Sequence, residues 1–232
     1  MPVRILGRAL AFPPVEDAED GLLAVGGDLS PERLILAYGS GIFPWYGDGQ
    51  PILWHSPDPR CVIPTTRVHV GRSLRRVVAK GGYEIRFDTE FARVVAACKS
   101  TPRPGQDGTW ITSDMERAYV RLFEEGYGHS IETWQGGKLV GGLYGISLGR
   151  IFFGESMFSW QPNASKVALV HLAEPLARWD FPLIDAQVPT PNTLALGAEE
   201  WPRARFLEVL ARELSFPTRR GRWTLAESRE GP

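Results

Sequence analysis

The clearest pattern of apolar and polar positions lies in the middle of the chain. Two apolar blocks, Leu139–Ile146 and Ile151–Phe158, flank Leu148-Gly149, which is the pattern of two strands joined by a tight hairpin. His129–Trp134 precedes them as a further strand, with Gly136-Gly137 as the connecting turn. The pattern therefore predicts an antiparallel meander, which Tyr83–Phe87 precedes and the apolar strand Pro182–Val188 follows.

Apolar residues with helical spacing mark the segments between these strands. The clearest helix follows residue 112, where Ser113 and Glu116 have capping-box spacing and Gly126 ends the pattern. Its apolar face recurs at i, i+3, i+4, i+7 and i+8 and consists of Met115, Ala118, Tyr119, Leu122 and Phe123.

Further helices are predicted from capping residues and periodicity. One begins at Pro31 with Ser30 as N-cap, and it carries Leu34, Ile35 and Tyr38 on one face. The others are Arg72–Lys80, Glu90–Cys98, a helix with Asn163 as N-cap, and a helix from about Pro202 to Leu214. Pro102–Gly108 is predicted as a loop, and the tail with Arg219, Arg220 and Arg222 as peripheral.

Polar residues interrupt two of the apolar strands. Asp185 and Gln187 lie two residues apart, so the period of a strand predicts that both side chains point to the same face. Gln187 is then the nearest candidate partner for Asp185, since an unpaired buried carboxylate is costly. Glu155 and Ser156 interrupt the return strand of the hairpin. These residues are interpreted either as polar pairs on exposed strand faces or as groups lining a cleft.

The composition excludes several classes of protein. The chain has 232 residues, 43% of them hydrophobic, and a net charge of −1, which gives no overall attraction to nucleic acid. Two cysteines, Cys61 and Cys98, are too few for a disulfide framework or a structural zinc site. No apolar stretch has the length of a membrane span and no signal-peptide core begins the chain, so a cytoplasmic protein is expected.

Basic and aromatic residues supply the candidate contacts for RNA. Five cations without an intervening acidic residue form a basic stripe, which is either a solvated helix face or a contact for phosphates: Arg67, Arg72, Arg75, Arg76 and Lys80. Trp54 is interpreted as core. Trp45 follows Pro44 on a rigid loop and is a candidate platform for stacking an unpaired base.

Several motifs in one order resemble the bacterial leucyl/phenylalanyl-tRNA–protein transferase family. The motifs are Gly21–Ser30, Gly41–Trp45, Ser56–Arg60, Gly108–Thr112, Gly154–Ser159, Asn163–Lys166 and Ile184–Gln187, and they lie between about residue 10 and residue 200. The resemblance implies transfer of Leu or Phe, with Met as a further candidate, from aminoacyl-tRNA to proteins that begin with Arg or Lys. Such transfer marks those proteins for degradation under the N-end rule.

The resemblance also implies site residues. Those expected around the terminal adenosine of the tRNA are Tyr38, Trp45, Trp110 and Tyr119. Those expected to form an apolar pocket for the transferred side chain are Leu143, Phe152, Met157, Leu169 and Ile184. The basic stripe is expected to contact acceptor-stem phosphates. Leu172, Leu176 and His55 depart from the aromatic residues common in the family, which bears on the strength of base stacking.

The fold implied is α+β: a small N-terminal α/β domain at residues 1–66, then an acetyltransferase-like (GNAT-type) domain at residues 67–232 with a mostly antiparallel sheet flanked by helices. That fold introduces a rival function, acyl-CoA-dependent N-acyltransfer. The turn Trp160–Ser165 has no glycine and contains a proline, which argues against a pyrophosphate site. A non-catalytic module that binds tRNA or protein N-termini is the third alternative.

The reaction implied is attack of an α-amine on the aminoacyl ester, which is expected to need no cofactor and no metal. An α-amine has a pKa of about 7.7–8.0, so roughly a tenth is neutral at pH 7 and positioning can supply most of the catalysis. The catalytic residues expected are Gln187, whose carbonyl accepts from the amine, Asp185, which orients the Gln187 amide, and Glu155, which holds the cationic acceptor or the ribose. A monomer is expected.

Overall fold

The computed structural model describes residues 4–102 and 110–224. Within these ranges the strands are β1 (Arg4–Leu6), β2 (Leu22–Gly26), β3 (Phe43–Pro44), β4 (Leu53–His55), β5 (Arg60–Pro64), β6 (Glu84–Phe87), β7 (Gly128–Gln135), β8 (Lys138–Leu148), β9 (Ile151–Ser159), β10 (Leu183–Gln187) and β11 (Glu199–Trp201). The helices are α1 (Pro31–Gly39), α2 (Arg72–Lys80), α3 (Phe91–Ser100), α4 (Ser113–Glu124), α5 (Ala164–Arg178), α6 (Pro191–Ala195) and α7 (Arg203–Glu213). The α+β class predicted from the sequence is confirmed.

Two sheets organise the described residues. The smaller has the order β1-β2-β4-β3, and the larger has the order β11-β5-β10-β9-β8-β7-β6. Every neighbouring pair in the larger sheet is antiparallel except β9 and β10, which are parallel. β5 lies between β10 and β11, although it precedes them by more than a hundred residues. The larger sheet is thus completed by a strand from the first third of the chain.

Apolar side chains cover both faces of the larger sheet. On β8, Tyr144 points into a core shared with α1, α3, α4 and the smaller sheet, whereas Leu143 points into a second core beneath α2 and α5. The alternation follows from the two-residue period of a strand. Trp54 is fully buried in the first core, as predicted. No helix in the described ranges has the length and apolar composition that crossing a bilayer requires.

The helices begin near the predicted positions, but not all of the predicted capping residues make the capping hydrogen bond. Ser30 caps α1 by accepting from the Arg33 backbone N–H, as expected. In α4 the N-cap is Thr112, one residue before the predicted Ser113, and its hydroxyl accepts from the Met115 backbone N–H. Asn163 does precede α5, but it adopts a left-handed conformation at φ 64° and its side chain makes no capping bond.

The predicted peripheral tail is wrong for residues up to 224. Trp223 is 2% exposed and packs in the core beneath α5, and its backbone N–H donates to Asp88 Oδ2 at 2.7 Å. Arg219 lies over the Trp179 ring and Arg220 donates to the carbonyl of Glu125. The prediction was wrong because it was based on the charged arginines and did not take account of the apolar side chain of Trp223, which follows them. Residues 103–109 of the predicted loop and its exit motif, and residues after 224, lie outside the described ranges.

Candidate active site

The site lies where the parallel pairing of β9 and β10 ends. The last paired residues are Phe153 and Asp185, and each strand has an irregularity just beyond them. On β9, Gly154 and Ser156 pair with consecutive residues of β8, so Glu155 is the extra residue of a bulge. On β10 the register shifts between Asp185 and Gln187, and Gln187 has a φ of 61°. The side chains of Glu155 and Gln187 therefore do not follow the regular alternation between the two faces of the sheet.

A cavity of about 550 Å³ opens at this point. Its wall contains all five residues expected to receive the aminoacyl side chain: Leu143, Phe152, Met157, Leu169 and Ile184. Trp45 and Trp110 lie on the wall as well, and so does Leu172, one of the positions that depart from the family pattern. Glu155 and Gln187 lie on the wall too, together with uncharged polar residues that include Ser156, Ser165 and Asn192. The structure thus brings together an apolar pocket and a carboxylate–amide pair.

Two side chains donate hydrogen bonds to Glu155, and a third supports one of them. Tyr119 Oη donates to Oε2 at 2.6 Å, and Gln187 Nε2 donates to Oε1 at 2.7 Å. Tyr38 Oη lies 2.6 Å from Tyr119 Oη, so it donates in turn to Tyr119. Burial raises the pKa of Glu155 to about 7, against the lowering effect of the Tyr119, Tyr38 and Gln187 bonds. Glu155 therefore changes its charge near neutral pH.

We expect this titration to make stability fall with rising pH. Because the pKa of Glu155 is raised from 4.5 to about 7 on folding, its stabilising contribution is complete below pH 4.5 and is lost as pH rises through 7. Between pH 5 and 8 the free energy of unfolding should fall by about 2 kcal/mol relative to that of Glu155→Gln. Urea denaturation of both proteins across this range measures the difference. Glu124→Gln, at an exposed position of α4, is the control and should retain the wild-type slope; parallel curves for wild type and Glu155→Gln would contradict the expectation.

Tyr38 and Tyr119 lie behind the cavity wall, although the resemblance placed both around the adenosine. Their side chains are 0% and 1% exposed. Burial raises the pKa of each hydroxyl well above its ordinary value, and the charge on Glu155 adds to the effect. Both hydroxyls are consequently protonated donors at neutral pH. In this structure they orient Glu155.

Asp185 does not share a face with Gln187, and the predicted contact between the two side chains is replaced by others. The Asp185 carboxylate binds the Arg60 guanidinium at both oxygens, with Nε–Oδ1 at 2.8 Å and Nη2–Oδ2 at 2.6 Å. Asp185 Oδ1 also accepts from the Gln187 backbone N–H at 3.0 Å. The register shift after Asp185 is the reason, since one irregular residue reverses the faces that follow. Glu155, in place of Asp185, orients the Gln187 amide.

Arg60 is a residue of the site that the sequence reasoning did not assign. Its side chain is 1% exposed, lies between the rings of Phe43 and Phe206 at 4.8 and 4.7 Å, and donates from Nη1 to the Gly41 carbonyl. One feature of the sequence could have indicated this role: Arg60 stands immediately before the apolar run Cys61–Ile63. An arginine at the start of a buried strand needs an acceptor for its guanidinium. Its partner lies 125 residues away, so spacing could not identify it.

The basic stripe is exposed where it was expected to be. Arg72, Arg75 and Arg76 lie on the solvent side of α2, while Leu74 faces the core. Arg67 differs from the expectation because it has a counter-charge, Glu199, with Nη1 and Oε1 3.2 Å apart. Within the residues that the structure describes, the arginines of α2 form no ion pair, so the part of the stripe without a counter-charge is the helix itself.

An apolar pocket that ends at a buried carboxylate–amide pair is suited to an enzyme that transfers an acyl group with an apolar side chain. A family model described as leucyl/phenylalanyl-tRNA protein transferase matches residues 62–211, and a model of that family's N-terminal domain matches residues 27–58. The chain belongs to the leucyl/phenylalanyl-tRNA protein transferase family, and it is an aminoacyltransferase. This selects one of the three functions that the sequence left open.

Individual relatives agree along almost the whole chain. The leucyl/phenylalanyl-tRNA–protein transferase of Myxococcus xanthus is 58% identical over 227 residues, which is 97% of both chains. That of an Anaeromyxobacter species is 57% identical over 226 residues, covering 97% of this chain and 96% of the relative. A solved structure of a functionally unknown protein from Staphylococcus epidermidis superposes with a TM-score of 0.40 at 9% identity, over 78% of this chain and 68% of the other, and carries no weight in the assignment.

Proposed function

We propose that this enzyme transfers leucine, phenylalanine and, as a further donor, methionine from aminoacyl-tRNA to the α-amino group of proteins that begin with arginine or lysine. The observation that carries the proposal is the cavity itself, in which five apolar side chains surround a space that ends at Glu155 and Gln187. The α-amine attacks the ester carbonyl, the C–N bond forms, the C–O bond to the terminal ribose breaks, and a proton passes to the ribose hydroxyl.

In this mechanism Gln187 positions the attacking amine. Its Nε2 is committed to Glu155 at 2.7 Å, which fixes the orientation of the amide. The Gln187 carbonyl then accepts a hydrogen bond from the amine, a role open to a neutral amide that cannot act as a strong base. The ionised form of Glu155 also places negative charge at the polar end of the cavity, which favours an acceptor with a cationic first residue.

Asp185 acts on the reaction through the backbone. A left-handed conformation costs roughly 1–3 kcal/mol for a residue with a Cβ, and the bond from the Gln187 N–H to Asp185 Oδ1 offsets that cost. Arg60 in turn fixes Asp185. The pair is thus a support for the Gln187 turn and lies outside the cavity wall.

The terminal adenosine is proposed to lie against Trp45 and Trp110 at the cavity wall. Trp45 is 38% exposed and lies edge-on to His55, with ring centroids 5.7 Å apart. An exposed indole can stack on a base and contribute about 1–3 kcal/mol. His55 thus supports Trp45 at the position where the family commonly has a tryptophan.

The architecture is proposed to be of the acetyltransferase type, with residues 1–66 as a small N-terminal domain and residues 67–232 as the catalytic domain. Support comes from the parallel pair β9–β10 of the larger sheet, which lies beside an antiparallel meander, with the cavity where that pair ends. The separate sheet β1-β2-β4-β3 supports the division. β5, from the N-terminal side, contributes to the larger sheet.

The proposed function is tested by mixing the protein with leucyl-tRNA and a peptide that begins with arginine. Mass spectrometry should show one added leucine. A peptide beginning with alanine and a sample treated first with ribonuclease are the controls, and neither should be modified. Binding of leucyl-tRNA without any addition to the arginine peptide would reject the proposed acceptor.

We expect the part of the basic stripe that lies on α2 to account for part of the salt dependence of tRNA binding. Each phosphate contact contributes about 0.7–0.9 to the slope of log K against log[salt], so replacing Arg72, Arg75 and Arg76 by glutamate should make the slope shallower by about 2–3. The matched control reverses three exposed arginines of α3 and α4: Arg93, Arg117 and Arg121. Filter binding of aminoacyl-tRNA over a salt series measures both. Equal slopes for the two triple variants would reject the α2 face as the phosphate contact.

A further inference from the structure

Two glycines shape the sheet beneath the aminoacyl pocket. Gly145 on β8 pairs with Gly154 on β9 and, on its other side, with His129 on β7. A Cβ at Gly145 would lie 2.7 Å from Cε1 and Cζ of Phe152, so the Phe152 ring occupies the space that a side chain at position 145 would fill. A Cβ at Gly154 would lie 3.5 Å from Ile184 Cγ2, its nearest side-chain atom. Gly154 and Ile184 both form part of the cavity wall.

Trp223 stands behind the Phe152 ring. Its indole stacks on the His129 ring, with centroids 3.7 Å apart and planes at 13°, and its centroid lies 6.0 Å from that of Phe152. The rings of Trp179 and Phe181 also pack against Trp223, with centroids 5.1 and 6.2 Å from that of the Trp223 indole. The Phe152 ring therefore lies between the cavity on one side and a packed aromatic cluster on the other.

The position of Trp223 is fixed by polar contacts as well as by packing. Asp88 Oδ2 accepts from the Trp223 backbone N–H at 2.7 Å and lies 2.8 Å from His129 Nδ1. Asp88 Oδ1 accepts from the Ser130 backbone N–H at 2.7 Å. One buried carboxylate thus joins the segment after α7 to β7 and fixes the Trp223 backbone beside His129.

We propose that Trp223 is a specificity-determining positioning residue, which keeps the Phe152 ring in the pocket wall and so sets the width available to the transferred side chain. The inference rests on the proposed function, in which this pocket receives the aminoacyl group. Trp223 touches no substrate and acts through Phe152. The segment that carries it lies beyond residue 211, where the match to the family model ends.

A smaller side chain at position 223 gives the Phe152 ring room to retreat from the cavity. The wider pocket contacts a leucine side chain less closely and admits a phenylalanine ring more easily. Apolar pockets discriminate by about tenfold or more for one methylene group, so Trp223→Leu should raise the ratio of phenylalanine to leucine transferred by about tenfold. Trp223→Phe, which retains an aromatic ring, should raise it by about threefold.

The test is a competition between equal concentrations of leucyl-tRNA and phenylalanyl-tRNA for one arginine peptide, in which the two products are separated by mass. Trp54→Leu is the matched control, because it removes another fully buried indole, in β4, outside the cavity wall. Met157→Ala is the positive control, because it shortens a residue of the wall itself. A merely structural role for Trp223 would lower stability, as Trp54→Leu does, and would leave the product ratio at the wild-type value.

The expected result is a raised ratio for both Trp223 variants and for Met157→Ala, and an unchanged ratio for Trp54→Leu. A ratio within about twofold of wild type in the Trp223 variants, while Met157→Ala shifts it, would overturn the inference. If Trp223→Leu does not fold, Trp223→Phe decides by the same comparison. No product from the wild-type enzyme with either donor would overturn the proposed function, and the inference with it.

Discussion

Replacing Asp185 by alanine should lower the free energy of unfolding by about 3–5 kcal/mol, because the Arg60 guanidinium would remain buried without its counter-charge. Both side chains of this pair are at most 1% exposed. Urea denaturation measures the loss. Asp114→Ala is the control, since it removes the partner of Arg117 from an ion pair that is about 70% exposed, and its effect should stay below about 1 kcal/mol.

The double variant Arg60→Met with Asp185→Leu distinguishes the contribution of the ion pair to stability from its contribution to the transfer reaction. Removing both charges together should restore most of the lost stability, since replacing a buried ion pair by apolar residues is often neutral or stabilising. Transfer by the double variant should be slower than transfer by the wild-type enzyme, because the Gln187 N–H loses its acceptor at Asp185 Oδ1. A loss of less than about 1 kcal/mol in Asp185→Ala would show that Arg60 does not depend on Asp185 as its counter-charge.

Replacing Gln187 by alanine should slow transfer by about 100-fold, because a misplaced nucleophile costs about that factor. The backbone N–H that binds Asp185 is retained in this variant, so the turn keeps its support. Single-turnover transfer from bound leucyl-tRNA measures the chemical step apart from binding.

Affinity for leucyl-tRNA should stay at the wild-type value in Gln187→Ala, since the tRNA contacts proposed lie on α2 and at the tryptophans. Gln161→Ala, at an exposed glutamine of the loop between β9 and α5, is the matched control and should retain the wild-type rate. A Gln187→Ala enzyme with an unchanged single-turnover rate would remove Gln187 from the mechanism.

Local patterns were sufficient for the helices α1–α5 and α7 and for the strands β6–β10, but not for β1–β5, α6 and β11. Ser30 and Pro31 specify the start of α1 because the Ser30 hydroxyl accepts from one free N–H of the first turn and Pro31 has no N–H that needs an acceptor. The block from Leu139 to Phe158 specifies a hairpin because two apolar runs are separated only by a short turn at Gly149. The five apolar pocket residues came from the family resemblance, and the structure places all of them on one cavity.

The geometry of the polar site could not be obtained from the same patterns. The two-residue period places Asp185 and Gln187 on one face, and it fails because β10 shifts register between them. The bulge at Glu155 is likewise invisible in the sequence, since it depends on how β8 pairs with β9. Arg60 and Trp223 acquire their roles through contacts with residues far away in the chain, which local spacing does not encode.

The position of β5 has a consequence for the order of folding. This strand pairs with β10 and β11, so its neighbours in the sheet become available only after a chain loop of more than a hundred residues has closed. Pairings of such long range form slowly, whereas the hairpin of β8 and β9 closes over two residues. We therefore expect the meander to assemble early and the Arg60–Asp185 contact late. A folding intermediate that has the meander would then contain Glu155 and much of the pocket, but it would lack the supported turn that presents Gln187.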